Sequence, residues 1–174
     1  MSVPPNYNVI TQPFGLDLQE YTNKLFFDQT VTPYTTSFAD FYAVMPPNNP
    51  SPIAVGGDVA FPSTGSSSNT DITRLTASTF QLGPIGVYQV YFSVPVDISG
   101  QLILTLNNVE QPYTVAGRLA ASTPISGQAI LTTSVANSIL TVRNPAGSLN
   151  ALPVSVSAGG VKPVSAHLVV TRLR

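Results

Sequence analysis

Along residues 86–96 (GVYQVYFSVPV) apolar and polar side chains alternate, with Tyr88, Val90, Phe92 and Val94 on one face and Val87, Gln89, Tyr91 and Ser93 on the other. A period of two is the signature of a half-buried β-strand. Similar short runs recur through the rest of the chain after residue 37. Ser37–Met45 is stopped by Pro46-Pro47, and Asp58–Phe61 interrupts a loop over 46–69 rich in Pro, Gly, Ser and Asn. Ile72–Leu75, Thr79–Leu82, Gln101–Leu106, Gln111–Gly117, Gln128–Val135, Ser138–Arg143, Leu152–Ser157 and Val164–Leu173 complete the series. Asn107-Asn108 suits a two-residue hairpin turn, because Asn tolerates positive φ. Ala136-Asn137 is expected to join the two flanking runs as a second hairpin. About ten short strands separated by turn residues predict an antiparallel β-sandwich over 37–174. The last run is apolar at alternate positions, which predicts a central, well-paired strand.

Residues 1–36 read differently. Nine of the fifteen Phe and Tyr residues fall in the first 42 positions, and Pro4, Pro5, Pro13 and Pro33 favour extended chain and turns over a long helix. Residues 16–27 (LDLQEYTNKLFF) fit either a short helix or a strand. A disordered tail is normally poor in aromatic residues, and an exposed apolar tail is a liability, so this arm is expected to dock. Two receptors are open to it: its own head, or a neighbouring copy in the manner of strand donation. For the neighbour, the expected anchors are Phe14, Leu16, Leu18, Leu25, Phe26 and Phe27.

Composition sharpens this picture. Only 9% of the residues are charged and 43% are hydrophobic, against about 25% charged in an ordinary soluble domain. A surface with so few charges to desolvate suits packing against other subunits. The net charge of −1 comes with no basic cluster, which argues against nucleic-acid binding. There is no Cys, hence no disulfide and no thiolate chemistry. No apolar run reaches the length of a membrane span. The first residues lack the basic and apolar regions of a signal peptide, so synthesis in a cytosol is expected.

Candidate chemistry is sparse, and no enzyme and no cofactor are expected. His167, the single His, shares a strand face with Val169 and Thr171; a lone His is far more often packed than catalytic. Asp58 and Asp71 flank one loop, where they serve either as turn residues or, with loop carbonyls, as Ca²⁺ ligands; no metal site is assigned. Arg74, Arg118 and Arg143 are expected to pair with Asp71, Asp97 or Glu110. Neither a nucleophile elbow nor a Gly-rich phosphate loop occurs.

Several segments resemble a known family. Phe41-Tyr42-Ala43-Val44-Met45-Pro46-Pro47, Asp71-Ile72-Thr73-Arg74-Leu75, Gly86-Val87-Tyr88-Gln89-Val90, Thr141-Val142-Arg143-Asn144-Pro145 and Pro163-Val164-Ser165-Ala166-His167-Leu168 are similar to the heads of collagen-like spore-surface proteins of the BclA type. Gly86-x-Tyr88 within an alternating strand also resembles the wider tumour-necrosis-factor and complement head fold. The resemblance spans about 38–174 and implies a ten-strand jelly roll that forms a homotrimer on the surface of a bacterial endospore. Such relatives carry a Gly-x-y stalk before the head; here the arm stands in its place. The combined expectation is a homotrimer whose arms thread into a neighbouring trimer to build a fibre or appendage, held by an anchoring protein on the exosporium. Tyr88, Tyr91, His167 and Val169 are the expected trimer contacts. The alternatives are a virion or phage component and a receptor- or glycan-binding head, the latter weakened by the absence of Trp.

Overall fold

The computed structural model describes residues 36–68, 70–119, 124–156 and 158–174. Among these residues eleven strands follow one another: β1 Phe38–Met45, β2 Ser63–Ser67, β3 Ile72–Arg74, β4 Phe80–Leu82, β5 Gly86–Val94, β6 Gly100–Leu106, β7 Val109–Glu110, β8 Ala116–Arg118, β9 Ile125–Thr133, β10 Ser138–Arg143 and β11 Val164–Arg172. One sheet has the order β2-β1-β11-β5-β9; the other has the order β3-β4-β10-β6-β7, with β8 also paired to β6. Every pairing is antiparallel. The expected all-β jelly roll is therefore the observed fold. Among the described residues no helix is long and apolar enough to cross a membrane.

The core lies between the sheets. The alternation read in β5 delivers Tyr88, Val90, Phe92 and Val94 into it, and β11 adds Ala166, Leu168 and Val170. Phe80 anchors its centre, with the Phe41 ring 4.6 Å and the Phe61 ring 6.0 Å from it between centroids. Burial of such apolar surface, at about 25 cal/mol per Å², is the main force holding the sheets face to face. β11 is the middle strand of its sheet, between β1 and β5, as its pattern predicts.

Five details depart from expectation. Asn107 and Asn108 both take positive φ and close a tight hairpin as predicted, but its second strand is only Val109–Glu110. A 3₁₀ turn at Pro112–Thr114 then separates it from β8. The runs flanking Ala136-Asn137 do not pair with each other. β9 pairs with β5, whereas β10 pairs with β4 and β6, so residues 134–137 cross from one sheet to the other. β9 also starts earlier than predicted, at Ile125, because Gly127 lies over the Phe92 ring. A Cβ there would meet Phe92 Cζ at 2.5 Å, so only glycine fits. Asp58–Phe61 and the described residues 152–156 of the expected run Leu152–Ser157 are not strands; they make only the isolated bridges Asp58↔Arg143, Ile53↔Leu152 and Val96↔Val154. The polar edge strand β2 (STGSS) was not anticipated, since nothing in it alternates.

The sandwich has two ends. At the near end the chain enters β1: Ser37 Oγ donates to Asp71 Oδ2 at 2.6 Å, and the Arg172 amide donates to the Ser37 carbonyl at 2.7 Å. The far end gathers the C-terminus of β1, the start of β11 and the start of β6, and there the Leu152 and Ile53 backbones bond to each other.

Candidate functional site

The outer face of the β2-β1-β11-β5-β9 sheet is built by the residues that alternation turns away from the core. Backbone register arranges them in rows across β1, β11, β5 and β9. Phe38, Thr171, Gln89 and Ile130 form one row. Asp40, Val169, Tyr91 and Gln128 form the next, and Tyr42, His167, Ser93 and Ser126 the third. Phe38, Tyr91 and Ile130 are 41%, 40% and 57% exposed, so three large apolar side chains lie open on this face, Ile130 on the edge strand β9.

These rows contain a single acid–base pair. His167 Nδ1 lies 3.0 Å from Asp40 Oδ1 across the β1–β11 register. The imidazole stacks against Tyr42 at 6.0 Å between centroids. The pair is half-exposed, so it adds little to protomer stability. With the Asp40 carboxylate hydrogen-bonded to the imidazole, a second copy packing there meets no carboxylate without a partner in these rows. The remaining polar groups are short hydroxyls and amides; Ser126 Oγ, for example, donates to Ser93 Oγ at 3.0 Å.

The predicted contact residues divide. Tyr91, His167 and Val169 come together on this face, with Val169 the register partner of both Tyr91 and Asp40. Tyr88 does not join them. It lies on the opposite parity of β5, is fully buried in the core and donates its hydroxyl to the Pro84 carbonyl at 2.6 Å. A side chain with no surface in the protomer has none to offer a second copy, so Tyr88 is a core residue. Its burial pushes the phenol above its ordinary value, with the nearby Arg172 opposing and Asp71 adding to the shift. Phe38, Asp40, Tyr42 and Ile130 belong to the face although sequence reasoning did not single them out; parity within β1 and β9 was the available signal. The arm anchors Phe14, Leu16, Leu18, Leu25, Phe26 and Phe27 lie outside the described residues.

The carboxylates do other work than foreseen. Asp58 receives Arg143 Nε at 2.8 Å and Nη2 at 3.2 Å, and also the Thr141 hydroxyl at 2.8 Å. Thr141 Oγ1, its own proton given to Asp58, in turn accepts from the buried Thr105 hydroxyl at 2.8 Å. The pairing with Asp58 holds the Arg143 guanidinium above its ordinary value. Asp71 takes Ser37 and faces Arg172 Nη1 at 3.9 Å. Asp97 accepts the Ser155 hydroxyl and Glu110 the Ala146 amide. Arg118 donates to the carbonyls of Val96 and Ile98, and Arg74 to the Thr64 hydroxyl. The expected pairings of Arg74, Arg118 and Arg143 with Asp71, Asp97 or Glu110 are therefore replaced by local and cross-sheet bonds. Asp58 and Asp71 serve as structural acceptors, and among the described residues no three His, Asp or Glu side chains cluster as metal ligands.

A second feature sits at the far end. A cleft of about 500 Å³ runs between the β6–β8 edge and the loop 147–152, with Gln101, Arg118, Leu119, Leu149, Asn150 and Leu152 on its walls. Among the described residues no carboxylate or imidazole lines it.

No family model and no curated protein matches the chain. Solved structures do. The chain is similar to murine APRIL, at 12% identity and a TM-score of 0.54, over 80% of this chain and 100% of that one. It is also similar to the globular domain of a zebrafish complement 1qA protein, at 14% identity and a TM-score of 0.52, over 79% of this chain and 96% of that one. The likeness is one of fold. At such identities it shows that the described body has a jelly-roll fold like theirs.

Proposed function

We propose that the chain is a structural, self-assembling surface protein. Its heads form homotrimers through the outer face of the β2-β1-β11-β5-β9 sheet, and the arms of residues 1–36 dock into a neighbouring trimer to extend a fibre. The observation that carries this reading is the face itself: Phe38, Tyr42, Tyr91, Ile130 and Val169 are displayed in register around one matched Asp40–His167 pair. A face of that composition gains from burial and loses little to desolvation. Closed symmetric assembly is the usual way for a soluble homo-oligomer to cover such a surface.

The site of deployment is the surface of a bacterial endospore, with an anchoring protein there as further partner. This part of the reading rests on the resemblance of the segments quoted above to spore-surface heads. It is tested by immunogold labelling of spores from the source cell: gold on exosporium or appendages is expected, and gold confined to virus particles or to the mother-cell cytosol overturns it. Sedimentation of the full-length protein tests the assembly. Species in multiples of three protomers are expected, and a monomer at micromolar concentration defeats the trimer.

A further inference from the structure

The far-end cleft and the entry point of the chain lie at opposite ends of the head. Ser37 is fastened at the near end, beside Asp71 and Arg172. The cleft opens beside Gly100, Arg118 and Leu152, beyond the C-terminus of β1. The eight residues of β1 span about 26 Å between the two at about 3.3 Å per residue. In heads placed end to end, the point where the chain enters one head therefore faces the far end of the next.

The cleft also has an unfinished rim. Leu119 and Leu149 are 95% and 94% exposed and stand on its walls, next to the uncharged amides of Gln101 and Asn150. Two nearly bare leucines beside a concave space are what a docking site for apolar side chains presents before it is filled. The one charged residue among its described walls is Arg118, whose guanidinium is held in place by the Val96 and Ile98 carbonyls. In residues 1–35, Asp17, Glu20 and Asp28 outnumber Lys24 and leave two negative charges. Those acids are interleaved with Leu16, Leu18, Leu25, Phe26 and Phe27. Apolar and charge complementarity thus run the same way.

We propose that the far-end cleft of one head is the receptor for residues 14–28 of a second copy. This rests on the arm-linked reading above and adds the address. Leu119 and Leu149 close over the arm's apolar side chains, and Arg118 faces its acids. Linkage through the far end makes each head both donor and acceptor along one axis. A heterologous contact of this type does not close on itself and so generates a filament.

The test places a photo-reactive amino acid at position 149 of the full-length chain, in assemblies formed from an equal mixture of light- and heavy-nitrogen-labelled protein. Mass spectrometry of the cross-linked peptides is expected to find residues 14–28, with about half of the links joining differently labelled chains. Links to other segments, or links that join only chains of the same label, overturn the proposal; the latter mean that the arm fills its own cleft. In parallel, Leu119→Asp and Leu149→Asp in the full chain are expected to reduce the polymerised fraction at least tenfold while leaving the head oligomer intact. Both positions are exposed, so folding is spared. If fibres of the unaltered protein require residues 1–36 yet persist in both variants, this address is wrong and the arm-linked reading stands. If the unaltered protein makes nothing larger than the head oligomer and yields no mixed-label links, both fall.

Discussion

Val169→Asp is the perturbation that probes the proposed trimer face most sharply. Val169 lies in the middle row of that face, opposite Asp40 on one side and Tyr91 on the other. Within a protomer the new carboxylate stays in contact with water. Its cost is the like-charge juxtaposition with Asp40, roughly 0.2–1 kcal/mol for a cross-strand pair. The isolated head therefore still folds. In the trimer the same carboxylate is taken out of water against a partner surface that brings no spare cation in these rows. Several kcal/mol per buried ion is the effective penalty in proteins; at about 3 kcal/mol per copy, three copies lose about 9 kcal/mol per trimer. At 1.4 kcal/mol per tenfold, that is about six decades in an association constant with units of inverse concentration squared, or about three decades in the midpoint concentration. Light scattering coupled to size exclusion reads the mass, and circular dichroism checks that the sheet signal survives. Ala158→Asp, on an exposed loop, controls for added charge. The expected result is a folded monomer for Val169→Asp and an unchanged trimer for Ala158→Asp. A Val169→Asp protein that remains trimeric at the same concentration refutes the assignment of this face.

Two further outcomes follow from the head's internal contacts. Asp58→Ala strips Arg143 and Thr141 of their shared acceptor in a site that is mostly out of solvent; breaking such a pair is expected to cost about 2–3 kcal/mol, and thermal denaturation should show the melting point fall by about 5–10 °C. The Tyr88 phenol is held above its ordinary value of 10.0, chiefly by burial. A raised folded value means that its stabilising contribution is whole below that pH and is lost as pH rises through the folded value. Unfolding curves above pH 10 are therefore expected to lose stability in the natural protein more steeply than in Tyr88→Phe. Near neutral pH that variant gives up only the bond to Pro84, about 1 kcal/mol.

The sandwich was legible because burial on one face imposes period two, and β5 and β11 display that period without interruption. Their parity also placed Tyr91, His167 and Val169 together. Tyr88 was named with them although the same parity puts it, three residues from Tyr91, on the opposite face, which is the buried one. Pairing between β9 and β10 looked local because Ala136-Asn137 resembles a hairpin turn. Nothing in the sequence states that the chain crosses sheets there, since that choice is made by which core each strand fills. The Asp58–Arg143 contact joins residues 85 apart, and no spacing rule links them. β2 escaped notice because its polar edge residues gain their place from hydrogen bonds to β1, not from burial. The far-end cleft combines three separate stretches, 99–101, 117–119 and 147–152, and only the fold brings them together.

Negative-stain electron microscopy of the full-length protein beside a version lacking residues 1–36 tests the central claim most directly. The account predicts long fibres from the full chain and separate trimer-sized particles from the shortened one. Small particles of the same size from both would mean that the arm does not link heads, and would contradict it.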